Sequence, residues 1–234
     1  MNKITKLTKC LSNPKFYKAY LNGVSPLFEL TVFIKQISYA KTLIDVGSNK
    51  GQFSLMTRKF FPNIMIHSFE PQIEILNLQK KVLGTNNINY YNYNFALGSE
   101  KKELELYITK RKDSSSVLRP ILSSNKNYII NEKKKISVKK LDELLDFKSI
   151  EKPSIIKLDV QGYELEVLKG SENTLDYIDY VIAEISSTEI YENQTQADEL
   201  IKFLESKSFE IKDRCNLSRV ENKLFQEDVL FCKS

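Results

Sequence analysis

Two glycines four residues apart, Gly47 and Gly51, follow a short apolar run, Thr42-Leu43-Ile44-Asp45-Val46, and lead into Gln52-Phe53-Ser54. In a chain with seven glycines this block narrows the fold more than any other feature. It reads as a strand, a tight loop and the opening of a helix. Glycine at such a place supplies a positive φ or lets a ligand approach the backbone. The helix that follows offers free N–H groups and the positive end of its dipole. Asp45 stands at the strand's end, where open α/β sheets take their ligands. The block predicts a nucleotide-type site.

Glycine spacing restricts the nucleotide. A dinucleotide fingerprint needs G-x-G-x-x-G, and a phosphate loop needs G-x-x-x-x-G-K-[ST]. Gly47 and Gly51 are spaced G-x-x-x-G, with neither a third glycine nor Lys-Ser or Lys-Thr after them. An acidic residue just before such a loop suits a ligand with a cationic amino-acid end better than a pyrophosphate. Glu70 closes the next apolar run, Ile64 to Phe69, where a carboxylate can accept hydrogen bonds from ribose hydroxyls.

From Thr42 onward strands and helices alternate. Strands are expected at 42–46, 64–69, 88–95, 155–160 and 180–185, and helices at about 51–61, 72–83, 163–175 and 195–207. Short strands are expected at 104–108 and 136–138, a short helix at 141–147, and two last strands at 209–213 and 228–232. This rhythm predicts an α/β chain with a mostly parallel sheet and helices on both faces. Residues 1–40 read as a helical N-terminal extension and 41–234 as one domain. The polar stretch 109–135, with Ser114-Ser115-Ser116 and clustered Lys and Arg, reads as an irregular insert, either a lid or substrate loop or a plain solvated loop. The net charge of +5 is mild, and nucleic acid is not expected as a partner. Three scattered cysteines suggest neither disulfides nor zinc, so a cytoplasmic location is expected. No run approaches the length of a membrane span. Ile4, Leu7 and Leu11 with flanking lysines allow a membrane-touching helix, but a plain packing helix is the reading preferred.

Four blocks together give a resemblance: Asp45-Val46-Gly47-Ser48-Asn49-Lys50-Gly51-Gln52, Phe69-Glu70-Pro71, Ala96-Leu97-Gly98 and Ile156-Lys157-Leu158-Asp159-Val160-Gln161-Gly162-Tyr163-Glu164. With Leu168-Lys169-Gly170, Ala183-Glu184-Ile185 and Asp228-Val229-Leu230-Phe231, the chain resembles the FkbM family of S-adenosylmethionine-dependent methyltransferases from about residue 42 onward. The resemblance implies a class I, Rossmann-like, seven-stranded sheet in order 3-2-1-4-5-7-6 with strand 7 antiparallel. It implies S-adenosylmethionine as cofactor, held by Asp45, Gly47, Asn49 and Gly51 at the methionine end and by Glu70 at the ribose. Pro71 would lie beside the adenosine, and Asn94 and Ala96 near the adenine. Family members mostly methylate hydroxyls on sugars, glycans or natural products.

Methyl transfer from a sulfonium asks chiefly for in-line positioning of the acceptor, with a base to take the hydroxyl proton. Asp159, at the end of the fourth strand, is the candidate base and also borders the cofactor. Lys157 shares its strand face, and Glu164 opens the next helix. Asp159 with Glu184 would make a thin case for Mg²⁺, so no metal is assigned, and Lys157 is expected to pair with Glu184. His67 reads as a packed strand residue. The alternatives are a non-catalytic cofactor-binding scaffold and a nucleic-acid methyltransferase using the basic stretch 109–140. No residue pattern names the acceptor.

Overall fold

β1 (Thr42–Val46) is buried at all five positions because it pairs on both edges and is covered on both faces. The computed structural model describes residues 3–84, 89–121, 126–220 and 223–234. Ahead of β1 come α1 (Lys3–Leu11), α2 (Pro14–Leu21) and α3 (Thr31–Ile34). After it the chain alternates α4 (Gln52–Phe60), β2 (Met65–Phe69), α5 (Ile73–Leu83) and β3 (Tyr90–Tyr93). β4 (Ala96–Leu97), β5 (Lys102–Thr109) and β6 (Ile130–Lys139) make a separate sheet in the order β4-β6-β5. β7 (Ser154–Leu158), α6 (Glu164–Lys169), α7 (Glu172–Leu175), β8 (Tyr180–Ser186), α8 (Ala197–Ser206), β9 (Phe209–Val220) and β10 (Lys223–Lys233) complete the chain.

The main sheet has seven strands in the order β3-β2-β1-β7-β8-β10-β9. β10 runs antiparallel to both of its neighbours, and the other pairings are parallel. This is the expected order and polarity. Strand periodicity divides the core into two layers. Leu43, Ile155, Ile182 and Leu230 face a cluster that holds Phe16 of α2, Phe33 of α3 and Phe53 of α4. Ile44, Ile156, Val181 and Phe231 face the other, built on Val167, Leu168, Leu200 and Leu204.

Several elements depart from the sequence reading. The stretch 109–135 is not irregular throughout, because β6 begins at Ile130 and takes in Lys133-Lys134-Lys135, paired antiparallel to β5. Residues 122–125 of that stretch, and Ile88 of the expected third strand, lie outside the described residues. The expected helix 141–147 is two single 3₁₀ turns, Leu141–Glu143 and Phe147–Ser149. The last two strands are a long hairpin rather than two short runs. Beyond Glu210 the β9 side chains up to Ser218 are exposed or half-exposed, so no apolar alternation marks them.

The expected helix 163–175 breaks at Gly170-Ser171 into α6 and α7. There Gly170 presses on Gly98: a Cβ on Gly170 would stand 2.0 Å from the Gly98 carbonyl oxygen. Two glycines from separate sequence blocks thus meet backbone to backbone. Gly170→Ala is expected to cost about 2 kcal/mol, seen as a drop in melting temperature of roughly 5 °C. An unchanged melting temperature would show that the contact yields freely.

Candidate active site

The loop after β1 is held from three sides. Gly47 and Ser48 both donate backbone N–H bonds to the Phe69 carbonyl, at 3.1 Å each. Gly47 has φ +69°, and a Cβ there would stand 2.0 Å from the Asp159 carbonyl oxygen. The glycine is therefore demanded by the protein's own backbone, independently of any ligand. From α5, Gln79 donates to Ser48 Oγ at 2.8 Å and to the Asn49 carbonyl at 2.9 Å, and accepts from the Tyr90 hydroxyl. Gln79 is fully buried and was not among the expected site residues. Its signal is legible in retrospect: it falls on the buried stripe Ile75, Leu76, Gln79, Leu83, where a polar residue needs a partner.

Glu70 sits just after β2 with its carboxylate braced by two amides. Oε2 accepts from Asn49 N–H at 3.1 Å and Oε1 from Gln72 N–H at 2.9 Å. Burial raises its pKa to about 7, against those two bonds. Asn94 contributes at one remove: its Nδ2 donates to the carbonyls of Glu70, at 3.1 Å, and Pro71, at 2.9 Å, fixing the turn that carries the carboxylate.

The segment after β7 forms the second half of the site. Lys157 Nζ lies 2.7 Å from Asp159 Oδ2, and Gln161 Nε2 donates to Asp159 Oδ1 and to Glu184 Oε2, both at 2.8 Å. Burial works against the Lys157 ammonium, but Asp159 and Asp45, its register partner on β1, outweigh it and raise its pKa. The expected Lys157–Glu184 pair is thus corrected: the lysine joins Asp159 two residues on, and Glu184 is reached through Gln161. Burial, with Asp159, Asp228 and Glu164 nearby, pushes the Glu184 pKa well up. Tyr191, buried in the loop after β8, places its hydroxyl 3.0 Å from Gln161 Oε1 and 2.9 Å from the Ser114 carbonyl. Ser116 Oγ donates to the Gln161 carbonyl at 2.8 Å.

Between these halves lies a cleft of about 260 Å³. Of the expected residues, Gly47, Asn49, Glu70, Pro71, Ala96, Lys157 and Asp159 line it. Glu184, Gln161 and the segment Arg111–Val117 line it too. Asp45, Gly51, Asn94 and Glu164 are not among its lining residues. Asp45 is fully buried, with Oδ2 accepting from Ser54 Oγ at 2.5 Å and Oδ1 without a partner among the described residues. Gly51 is the left-handed N-cap of α4, and a Cβ there would meet Gln79 Cγ at 2.8 Å. Glu164, expected as a catalytic candidate, does not line the cleft, and its Oε1 accepts from the N–H groups of Val160 and Gly162, both at 3.1 Å, clamping the loop after β7. His67 is stacked on Tyr91 and bonded to Tyr93, with burial lowering its pKa to about 4, and it does not line the cleft.

Sheet order, the antiparallel last strand β10 and a cleft at the carboxyl ends of β1, β2 and β7 define a class I methyltransferase fold. A putative rRNA-methylase from Clostridium thermocellum shares that fold at a TM-score of 0.50, with 12% identity over 88% of this chain and 97% of its own. The model of the methyltransferase FkbM domain matches residues 45–211. The chain belongs to the FkbM methyltransferase family, whose methyl donor is S-adenosylmethionine. Two curated relatives match in part. The hexuronic acid methyltransferase AglP of Haloferax volcanii is 36% identical over 66 residues, 27% of this chain and 28% of its own length. Methyltransferase 1 of Beauveria bassiana is 25% identical over 158 residues, 61% of this chain and 64% of its own. The chain therefore spans less than two thirds of the length of either. No helix among the described residues is long and apolar enough to cross a membrane.

Proposed function

We propose that the chain transfers a methyl group from S-adenosylmethionine to a hydroxyl of a sugar, glycan or similar hydroxylated small molecule. The observation that carries this reading is Asp159, a carboxylate fixed at 2.7 Å by Lys157 and 2.8 Å by Gln161 in the wall of the cleft that also holds Glu70. The polar atoms left over suit the cofactor. Glu70 offers a braced carboxylate to paired ribose hydroxyls, and Asn49 Oδ1, on a residue that also lines the cleft, has no partner among the described residues. Such acceptors fit a ligand that brings an ammonium and hydroxyl donors. Ala96, Leu97 and Pro71 give the same cleft an apolar wall for a base.

When bound, the cofactor supplies an electrophilic methyl on a good leaving group. The protein's part is placement and proton handling. Asp159 would orient the acceptor hydroxyl and take its proton, with Lys157 stabilising the carboxylate and Gln161 fixing its rotamer. Segment 111–117 would cover the acceptor. A sugar hydroxyl accords with the partial match to a hexuronic acid methyltransferase, and with the absence of an Asn/Asp-Pro-Pro-Tyr block at Asp159-Val160-Gln161-Gly162.

A screen with labelled S-adenosylmethionine against uronic acids, neutral sugars, nucleotide sugars and RNA tests the acceptor. Label entering a sugar is expected; label entering RNA alone would overturn the reading. Asp159→Asn is expected to lower kcat by about 10²–10⁴ with cofactor affinity within a few fold. Unchanged turnover would remove Asp159 as the base.

A further inference from the structure

The N-terminal helices carry a surface that the cleft does not use. Residues 1–40 hold six lysines and one acid, Glu29, so they account for the whole net charge of +5, and the rest of the chain is neutral. The same residues hold seven of the twelve exposed large hydrophobic side chains among the described residues. Ile4 is 75% exposed, Leu11 57% and Leu21 67%.

These are not scattered positions. The inner faces of α1 and α2 are spent on the core, where Cys10, Phe16 and Ala19 are buried, so the orientation of both helices is fixed. Ile4 and Leu11, seven residues apart, fall on one side of α1. Tyr17, Tyr20 and Leu21, spaced i, i+3, i+4, form one outward stripe on α2. Lys15 and Lys18 flank that stripe, and neither makes an ion pair among the described residues. Packing thus explains one face of each helix and leaves a second apolar face set among lysines.

We infer that α1 and α2 dock on an anionic lipid surface, with Ile4, Leu11, Tyr17, Tyr20 and Leu21 entering the interface and Lys15 and Lys18 contacting acidic headgroups. Charge decides among the occupants. A second copy of this chain would bring an equally basic face against this one, a repulsive pairing. Nucleic acid would use the lysines but give the aliphatic side chains nothing to bury against. An acidic bilayer surface satisfies both halves of the pattern, and interfacial Tyr and Lys suit its headgroup layer.

Sedimentation of the full chain with vesicles tests this, using phosphatidylcholine alone and phosphatidylcholine with phosphatidylglycerol. At least tenfold enrichment on the acidic vesicles is expected, falling several fold at high salt. Two double variants, Leu11→Gln with Leu21→Gln and Lys15→Gln with Lys18→Gln, should each lose most of that binding. Both should keep S-adenosylhomocysteine affinity, which separates docking from folding and from the cleft. Equal binding to both vesicle types, no binding to either, or variants that bind like the parent would overturn the inference. So would a dimer in light scattering that the Leu11/Leu21 variant abolishes.

Discussion

Gly47→Ala is expected to lose cofactor binding and a large part of the fold's stability together. Two costs coincide at this residue. A non-glycine side chain at φ +69° carries the left-handed backbone penalty, on the order of 1–2 kcal/mol. The new Cβ would also stand 2.0 Å from the Asp159 carbonyl oxygen and 2.8 Å from its carbonyl carbon. Backbone atoms at the ends of the two central strands, β1 and β7, cannot swing aside as a side-chain end can, so an overpacking cost of about 2–3 kcal/mol adds to the first. The sum is roughly 4 kcal/mol, a large share of the 5–15 kcal/mol typical of a domain. Relief requires parting the β1 loop from the segment after β7, which separates the Asn49–Glu70 half of the cleft from the Asp159 half. Gly23→Ala is the control, because Gly23 also has positive φ, +73°, and a methyl added there would meet nothing within 4 Å. It should cost about 1 kcal/mol and leave S-adenosylhomocysteine binding intact. Denaturant unfolding of both variants decides the matter: equal costs would mean that the Asp159 contact is soft.

That contact also marks where a sequence stops being readable. The alternation of strands and helices is legible because parallel strands buried on both faces leave apolar runs such as Ile155 to Leu158, and the helices between them keep helical spacing, whereas the strand order is legible only through the family resemblance. Glu70 is legible because it ends such a run. What defeats reading is any role assigned by tertiary approach. Nothing in the spacing of Gly47 says that the Asp159 backbone, more than a hundred residues away, fills the space a side chain would need. Nothing in Glu164 distinguishes a catalytic acid from one whose oxygen is taken up by the Val160 and Gly162 amides. Tyr191 reaches the site only because its loop packs on Ser114 and Gln161. The outer half of β9 is hidden for the opposite reason: an exposed ribbon has no buried face to impose a pattern.

The pH response of Glu70 carries the second large effect. Its folded pKa, about 7, lies above the ordinary glutamate value because burial disfavours the charged form. A raised acid pKa means that the folded state holds the proton where the unfolded chain has released it. Stability from this group is therefore full below the unfolded value of 4.5 and declines as pH rises through the window from 4.5 to about 7. Glu164, also raised to about 7, and Asp228, raised to about 6, act in the same direction. The ligand-free protein is thus expected to melt at a lower temperature at pH 7.5 than at pH 5.5. Cofactor affinity should run the other way, since only the carboxylate can accept from both ribose hydroxyls. S-adenosylhomocysteine affinity is expected to rise with pH up to about 7, by at most tenfold per pH unit, and then to level off. Glu70→Gln should flatten that profile and weaken binding at pH 8 by roughly 100-fold, about 3 kcal/mol, as expected when charged hydrogen bonds are lost. The amide also presents an NH₂ to one of two backbone donors, Asn49 and Gln72, that now share the carboxylate, so the variant should lose stability as well. Calorimetric titration across the pH range separates the two effects. A flat affinity profile for the parent protein, or a Glu70→Gln variant that binds as tightly, would take the ribose away from Glu70 and leave it only the bracing of the Asn49 turn.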